Sequence, residues 1–311
     1  MEAGQNHRKI ISDLREVSVV SATQANCFQE FAVQDYSLPL TLDSGQAFRW
    51  TCLDEKWVGV IGRRWVRLNA AGDALVAETA QPISDWLWLE HYLQINVNLD
   101  SVTRSFPDDE PMRAAVSACR GLRLLRQDPW ECLASFILSS TKQIIQIRQI
   151  IALLCERYGQ PVPGPTDEWP AYTFPSASKS ATLTEADLRG CKMGFRAPYL
   201  LLTARLVAEG KFKLDELEEL PVETARLKLM DLPGVGRKIA DCVLLFAYGF
   251  HSAFPVDVWV LKALRQLYFP KRQVQLKRLE KFSATHFGPN SGYAQQYLFH
   301  YMRVKHSPRR R

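Results

Sequence analysis

The spacing of apolar and polar residues divides the chain into two parts with different secondary structure. Between residues 25 and 100, short apolar runs alternate with turn residues, which is typical of β-strands. Strand-like runs lie at 57–61, 65–68 and 74–78, with an Ala-Ala-Gly-Asp turn at 70–73. Because short strands joined by tight turns form antiparallel sheets rather than βαβ units, we predict an antiparallel sheet, covered by a helix at 85–93.

Beyond residue 111 the apolar residues recur at the spacing of α-helices. The proline- and acid-rich segment at 106–111 predicts a linker, and DPWE at 128–131 is a strong helix start, with Asp as cap and Pro first. Helices are predicted from 128 to a polar break at 139–141, from 144 to 159, and at 184–189, 198–209, 222–230, 276–282 and 294–304, with a long loop at 160–180. The fold class is therefore α+β: an N-terminal antiparallel sheet domain followed by an all-helical domain.

A tight glycine turn, LPGVG at 232–236, opens a helix that begins near Arg237. Its two glycines permit positive φ angles and the close approach of another backbone. The unpaired amides of such a turn and of the following helix N-terminus form an anion site that suits a phosphate. Gly234, Val235 and Gly236 are therefore candidate contacts to a nucleic-acid backbone.

Three residues near this turn are candidates for chemistry. Lys238 lies on the first turn of the helix, and Cys242 shares its face four residues later. A free amine is a nucleophile towards carbonyl-like carbon. Asp257 precedes a second apolar run, which predicts a helix N-cap. By themselves, however, such a lysine is more often a solvated phosphate contact, and such an aspartate is more often only a cap.

Composition excludes several classes of protein. Of the 311 residues 47% are hydrophobic, which indicates a folded globular chain. No run of eighteen apolar residues is present and the first residues lack the apolar core of a signal peptide, so we expect no membrane partner and an intracellular protein. The seven cysteines form no Cys-x-x-Cys pair, so we expect no metal and no cofactor and interpret the cysteines as buried thiols, with Cys242 set apart as a candidate site residue.

The positive charge of the chain lies mainly at its C-terminal end. The formal net charge is +6, and residues 271–311 hold ten Lys or Arg and a single acid. A solvated basic face is one interpretation of this segment. Binding to a polyanion is the other, and the glycine turn favours it.

Seven separated motifs, in order, closely resemble the eukaryotic-type 8-oxoguanine DNA glycosylase/AP lyase family of the helix–hairpin–helix, Gly-Pro-Asp superfamily. The motifs are SGQAFRW at 44–50, LLRQDP at 124–129, SS at 139–140, GFR at 194–196, the hairpin with its lysine at 232–238, PVD at 255–257 and AQQYLF at 294–299. The resemblance covers roughly residues 30 to 305. It implies a tail at 1–22, a sheet domain at 23–110 that contributes to lesion recognition, a helix–hairpin–helix glycosylase domain at 111–305 and a basic tail at 306–311.

The resemblance also implies a reaction on damaged double-stranded DNA by a monomer, in the nucleus or in a bacterial nucleoid or cytoplasm. Lys238 would attack the sugar C1′ of a flipped nucleotide, displace the base and form an imine that permits β-elimination of the 3′ phosphate. Asp257 would stabilise positive charge on the sugar and help to activate the lysine. This chemistry needs no metal.

For base recognition, the resemblance assigns a pocket built from both ends of the chain. The Gly45 carbonyl would accept a hydrogen bond from N7–H, which 8-oxoguanine carries and guanine lacks. Phe299 and Cys242 would sandwich the flipped base, and Gln295 would contact its Watson–Crick edge. Phe195 would wedge into the stack beside the lesion.

The chain departs from the family pattern where the opposite base is read. Thr141 stands in the place of an asparagine that fills the vacated gap, followed by Lys142, and Gln146 replaces an arginine that reads the opposite cytosine. Arg196, the other reader, is retained, whereas Trp259 replaces a phosphate-contacting histidine. Our hypothesis is that discrimination for cytosine is relaxed relative to the family.

Two alternatives to 8-oxoguanine excision remain open at this point. A glycosylase of the same fold that acts on alkylated or other damaged bases is suggested by the altered segment between Thr141 and Gln146. A non-catalytic DNA-binding module would use the hairpin only for phosphates and would show salt-sensitive binding without strand cleavage. The presence of both Lys238 and Asp257 argues against the second alternative.

Overall fold

The computed structural model describes residues 25–139, 142–165, 171–270 and 274–306. The predicted N-terminal tail at 1–22 lies outside this part of the chain, and so do positions 307–311 of the predicted basic tail. The domain boundary at residue 110 stays a prediction. None of the helices in the described ranges is long and apolar enough to cross a membrane.

The N-terminal part is a five-stranded antiparallel sheet with the strand order β1-β5-β4-β3-β2. Its strands are β1 (Asn26–Ala32), β2 (Trp50–Leu53), β3 (Lys56–Ile61), β4 (Arg64–Ala71) and β5 (Ala74–Ile83). The three predicted strands are confirmed as β3, β4 and β5. One face of the sheet packs on its own apolar core because alternate residues such as Trp57, Leu68 and Ala77 point inward.

The remainder is helical apart from a small two-stranded sheet, β6 (Pro161–Val162) with β7 (Ala171–Tyr172). The α-helices of the described chain are α1 (Leu38–Leu42), α2 (Leu87–Leu93), α3 (Leu99–Arg104), α4 (Glu110–Ala118), α5 (Pro129–Ser139), α6 (Ile144–Tyr158), α7 (Ala177–Ala181), α8 (Glu185–Gly190), α9 (Ala197–Ala208), α10 (Val222–Met230), α11 (Arg237–Phe246), α12 (Val258–Ala263), α13 (Leu276–His286) and α14 (Ser291–His306). A π-helical turn, Leu264–Tyr268, continues α12.

Most helices with strong terminal signals lie where the sequence predicts them. Asp128 caps α5 through a 2.8 Å bond from the Glu131 amide to its Oδ1, α6 ends at Gly159, and α10 has the predicted bounds. The predicted linker at 106–111 is wrong at its end, because the Asp109 side chain accepts the Met112 amide at 2.8 Å and starts α4 there.

The expected structureless loop at 160–180 is also wrong. Its described residues include β6, β7 and the short helix α7, which the Ser176 side chain caps through a 3.1 Å bond from the Lys179 amide. Two further helices, α1 and α3, were not predicted. All of these elements are short, so they carry too few residues for a periodic pattern to show.

The cysteines are all free thiols, but two of them are not buried as expected. Cys52 is exposed on an edge strand and Cys27 is half-buried, whereas the other five are buried. Within the described ranges no group of three or more His, Cys, Asp or Glu side chains could hold a metal ion.

Gln46 joins the sheet region to the helical region through a fully buried side chain. Its Nε2 donates to the carbonyl oxygens of Thr41 and Arg123, at 2.9 and 2.8 Å, and its Oε1 accepts the Leu125 amide at 2.8 Å. Buried amides need such partners, since each unpaired group would cost about 1–3 kcal/mol. The SGQAFRW segment is thereby tied to the LLRQDP segment, which fixes the position of the neighbouring Gly45.

Candidate active site

The glycine turn joins α10 to α11 as a helical hairpin. Gly234 has a φ of +76°, and a Cβ placed there would lie 2.8 Å from the Tyr199 Cγ, so only glycine fits. Gly234 and Gly236 are exposed, as expected for contacts to a nucleic-acid backbone. Val235 differs: its side chain is buried and its amide already donates to the Leu232 carbonyl at 3.1 Å. Of the three candidate contacts at this turn, only the two glycines are therefore exposed, and the Val235 amide is already engaged.

Lys238 presents its amine from the first turn of α11, the rest of which is buried. The Nζ donates to the Ser139 Oγ at 3.0 Å and lies 5.3 Å from the centroid of the Phe136 ring. The Ser139 hydroxyl donates in turn to the Phe136 carbonyl at 2.7 Å, which leaves its lone pairs for the amine. The last turn of α5 thus orients the amine.

Asp257 is the N-cap of α12, as predicted. Its Oδ1 accepts the amides of Trp259 and Val260 at 3.0 and 2.8 Å. Burial raises the pKa of this carboxyl, while the Val260 amide and the nearby positive charge of Lys238 act in the opposite direction. The carboxylate is therefore a partly desolvated negative charge held close to the lysine.

Cys242 forms an apolar wall beside these two groups. Its side chain is 3% exposed, and burial raises the pKa of the thiol to about 12 against the opposing charge of Lys238. The thiol is neutral near pH 7 and does not compete with the amine as a nucleophile.

A buried ion pair anchors the hairpin one turn beyond the lysine. The Arg226 Nε of α10 lies 2.5 Å from the Asp241 Oδ1 of α11, and both side chains are less than 5% exposed. Removal of Asp241 would leave the buried Arg226 guanidinium with only the exposed Glu223 as a partner, and removal of Arg226 would leave the Asp241 carboxylate 3.9 Å from the Arg237 Nε, so either change leaves a poorly compensated buried charge. The pair therefore holds the two helices of the hairpin in one arrangement.

Gly45 and Phe299 lie side by side although 254 positions separate them in the chain. Gly45 has a φ of +82°, and a Cβ built on it would lie 3.5 Å from the Phe299 Cε1 and 2.7 Å from the Ile144 Cδ1. One turn earlier on α14, Gln295 is 3% exposed, and its Oε1 has no hydrogen-bond partner among the described residues. A buried, unpaired amide oxygen costs free energy unless a ligand supplies a donor.

Phe195 projects from a 3₁₀ turn, Gly194–Arg196, and is 60% exposed. The Arg196 guanidinium is buried, with its Cζ 4.2 Å from the centroid of the Phe195 ring, and burial lowers its pKa. An exposed aromatic ring stacked on a buried cation is a stiff wedge, because the cation–π contact restrains the ring.

The segment expected near the opposite base is described only in part. Thr141 lies outside the described residues, while Lys142 is half-buried. Gln146 is exposed on the first turn of α6, where its Oε1 accepts the Gln143 amide at 3.0 Å. Trp259 is half-buried, and the Lys262 Nζ lies 5.3 Å from the centroid of its ring.

Sequence reasoning missed four residues that hold the site together: Ser139 and Phe136 beside the amine, and Gln296 and Arg303 beside the Gly45 turn. Ser139 belongs to one of the recognised motifs, so its position was a signal, but its contact was not predicted. Gln296 likewise belongs to the AQQYLF motif, but its contact was not predicted. Arg303 lies outside the motifs and had no signal, because a polar residue on a helix predicts a solvated face.

A lysine amine beside a half-buried carboxylate, presented by a glycine hairpin, defines the class of helix–hairpin–helix DNA glycosylases. Residues 134–287 match the family model of HhH-GPD superfamily base excision DNA repair proteins, and residues 30–133 match that of the 8-oxoguanine DNA glycosylase N-terminal domain. The chain is 30% identical to the N-glycosylase/DNA lyase OGG1 of Arabidopsis thaliana over 282 residues, which cover 85% of this chain and 77% of that protein. The chain therefore belongs to the 8-oxoguanine DNA glycosylase/lyase family.

Solved structures agree with this assignment. The 8-oxoguanine glycosylase/lyase of Clostridium acetobutylicum, in complex with duplex DNA containing cytosine opposite 8-oxoG, is 31% identical with a TM-score of 0.82, covering 90% of this chain and 99% of that one. The 3-methyladenine DNA glycosylase of Archaeoglobus fulgidus is 21% identical with a TM-score of 0.75, covering 90% and 100%. The second likeness shows a shared fold alone.

Proposed function

We propose that this chain excises 8-oxoguanine from duplex DNA and then cleaves the abasic strand, with Lys238 as the nucleophile. The observation that carries the proposal is the placement of the Lys238 amine, against the Ser139 hydroxyl and within electrostatic reach of the half-buried Asp257. A phosphate-binding lysine would project into solvent instead. The amine is half-buried, which suits a nucleophile that meets a flipped nucleotide.

Base removal begins when the neutral amine of Lys238 attacks C1′ of the flipped nucleotide. The bond from C1′ to the base breaks, and the base leaves with the electron pair and takes up a proton. The Asp257 carboxylate stabilises the positive charge that develops on the sugar. Because partial burial limits the hydration of this carboxylate, its charge acts on the sugar more strongly than it would in water.

Strand cleavage follows from the choice of an amine. The lysine bound to C1′ opens the sugar to an imine, which acidifies the proton at C2′. Loss of that proton expels the 3′ phosphate by β-elimination and leaves the imine conjugated. Water as a nucleophile would remove the base without cutting the strand.

Base recognition is assigned to the pocket between the Gly45 turn and α14. The Gly45 carbonyl accepts N7–H of 8-oxoguanine, and Gln295 supplies its unpaired oxygen to the Watson–Crick edge. Phe299 and the neutral Cys242 cover the two faces of the base. Phe195 wedges into the stack, which keeps the nucleotide out of the helix.

The remaining assignments concern DNA. The main chain of Gly234 and Gly236 binds the backbone, and Lys142, Arg196 and Trp259 add contacts around the lesion. The protein acts as a monomer on damaged double-stranded DNA, in a nucleus or in a bacterial nucleoid or cytoplasm, without a cofactor.

Borohydride trapping on a duplex that contains 8-oxoguanine tests the proposal. Borohydride reduces the imine and links the enzyme to DNA, so wild-type protein should yield an adduct and Lys238→Gln none. Lys213→Gln, which alters an exposed lysine, is the matched control and should keep the adduct. An adduct with Lys238→Gln would refute the assigned nucleophile.

Base release and borohydride trapping on a panel of lesion duplexes separate the alternatives. A glycosylase for alkylated bases, suggested by Gln146 in place of an arginine, would release 3-methyladenine and leave 8-oxoguanine untouched. A non-catalytic DNA-binding module would bind the duplex in a salt-sensitive manner and yield no adduct with any lesion.

A further inference from the structure

Helix α14 donates hydrogen bonds to the carbonyl groups of the two residues that precede Gly45. The Asp43 carbonyl accepts the Arg303 Nη2 at 2.5 Å, and the Ser44 carbonyl accepts the Gln296 Nε2 at 3.1 Å. These donors lie seven residues apart, about two helical turns, so they share one face of α14.

The next carbonyl after Gly45 is held too. The Gln46 carbonyl accepts the Gln127 Nε2 at 2.8 Å. The turn therefore has the carbonyls on both sides of Gly45 fixed by hydrogen bonds, which restricts the direction of the Gly45 carbonyl between them.

Arg303 contacts both sides of the proposed base pocket. Besides its bond to Asp43, its Cζ lies 5.8 Å from the centroid of the Phe299 ring, and its Nη1 lies 3.5 Å from the position of a Cβ on Gly45. Asp43 is held from a third element, because the Arg148 Nη2 of α6 lies 2.7 Å from its Oδ1. A single guanidinium thus connects the recognition turn to the stacking ring.

We propose that Arg303 is a positioning residue for lesion recognition, which sets the Gly45 carbonyl and the Phe299 ring against the same flipped purine. This inference rests on the proposed function, since it assumes that these two groups recognise 8-oxoguanine. The planar guanidinium suits the task because it donates in a fixed direction while its face lies over an aromatic ring.

Positioning matters here because a single hydrogen bond separates the lesion from guanine. Hydrogen bonds weaken steeply outside about 2.7–3.2 Å, so a small shift of the turn would remove much of the discrimination. The lysine and the aspartate lie on other elements, α11 and the N-cap of α12. Loss of Arg303 should therefore slow base excision and spare the lyase step.

Two reactions of the full-length protein test this proposal: single-turnover excision of 8-oxoguanine, and cleavage of a preformed abasic site, which needs no base pocket. Arg303→Met keeps the aliphatic stem and removes the donors. It should slow excision about tenfold or more, as expected for loss of a charge-assisted hydrogen bond. Cleavage of abasic DNA should stay within about twofold of wild type, because Lys238 is untouched.

Two further variants sharpen the comparison. Arg303→Lys keeps a cation but not the planar donor group, so it should lose about threefold in excision. Arg104→Met makes the same change at an exposed arginine of α3 and should behave as wild type. Loss of both abasic cleavage and the thermal transition would show that Arg303→Met does not fold. In that case the excision rate of Arg303→Lys alone tests the proposal.

An excision rate equal to that of the wild type in Arg303→Met would overturn the proposal. If Arg303→Met does not fold, the same rate in Arg303→Lys would overturn it. So would an equal loss of excision and abasic cleavage in a folded variant, because that pattern indicates general damage to the site. A wild-type protein that cleaves abasic DNA but leaves 8-oxoguanine intact would instead refute the proposed substrate, and the positioning role with it.

Discussion

The Nζ of Lys238 donates a 3.0 Å hydrogen bond to the Oγ of Ser139, the last residue of α5. This bond links the hairpin to a different helix, 99 positions earlier in the chain. Lysine carries a long side chain with four rotatable bonds, and a free amine would sample many positions. The serine therefore confines the amine to one direction.

Replacement of Ser139 by Ala should slow base excision and abasic cleavage together, by about tenfold, because both reactions depend on the orientation of the amine. Single-turnover rates on the two substrates measure the effect. Ser101→Ala, at an exposed position of α3, is the matched control. A Ser139→Ala protein with unchanged rates on both substrates would show that the bond has no part in catalysis.

Activity should fall as Asp257 becomes protonated. Burial raises the pKa of this carboxyl, so the acid limb of the rate profile should lie at a higher pH than an ordinary aspartate would give. Asp257→Asn removes the charge but keeps the cap acceptor, and it should slow excision at least about a hundredfold near pH 7, with the deficit shrinking as the wild-type carboxyl becomes protonated. Excision rates measured from pH 4 to 8 test this prediction. If the acid limb persists in Asp257→Asn, a group other than Asp257 causes it.

The same substitution should stabilise the fold near pH 7. A carboxyl with a raised pKa in the folded state contributes stability below its unfolded pKa and loses that contribution as pH rises through the folded pKa. At neutral pH the wild type therefore keeps an unfavourable buried charge that Asp257→Asn lacks. Thermal unfolding should show a higher Tm for Asp257→Asn at pH 7, with the difference shrinking towards pH 4. A lower Tm at pH 7 would contradict this account.

The rates of 8-oxoguanine excision opposite cytosine, adenine, thymine and guanine should differ by less than about tenfold. The reason is that Gln146, which replaces an arginine that reads the opposite cytosine in the family, makes a hydrogen bond within its own helix. The Gln146 Oε1 accepts the Gln143 amide within its own helix. Gln146→Arg should raise the preference for cytosine about fivefold or more, the worth of a good base contact. Gln149→Arg adds the same charge at an exposed position of α6 and is the control. A strong wild-type preference for cytosine would defeat the hypothesis.

The buried pair of Arg226 and Asp241 should be coupled in stability. Asp241→Leu leaves the buried arginine with only the exposed Glu223 as a partner and should lower the free energy of unfolding by about 3 kcal/mol. The double variant Arg226→Met with Asp241→Leu should recover most of that loss, because apolar side chains then fill the site. Urea unfolding of the single and double variants measures the coupling, and additive losses would indicate two independent interactions.

Several features were predictable because their causes are local in the chain. The start of α5 follows from an Asp-Pro pair, and the cap of α12 follows from Asp257 alone, since capping needs only a side chain and amides two or three residues away. The helical hairpin follows from glycines that permit a positive φ. The same logic was misapplied at 106–111, where Asp109 and Pro111 are a helix start and not a linker.

Other features depend on contacts that no local pattern encodes. Cys52 is exposed because β2 lies at the edge of the sheet. The alternation of apolar and polar side chains predicts strands but does not predict their order in the sheet. Gln296 and Arg303 have the composition of a solvated helix face, yet they bind the carbonyls before Gly45. Their role depends on where α14 packs.

By itself the sequence determined the two-part fold, the hairpin, the family and the candidate lysine and aspartate, because caps, glycine turns and periodicity act over a few residues. Only the tertiary structure decided that Ser139 holds the amine, that Gly45 lies beside Phe299, and that Cys242 is a neutral wall. Those relationships join residues far apart in the chain. They exist only where the packing of two apolar cores brings their backbones together.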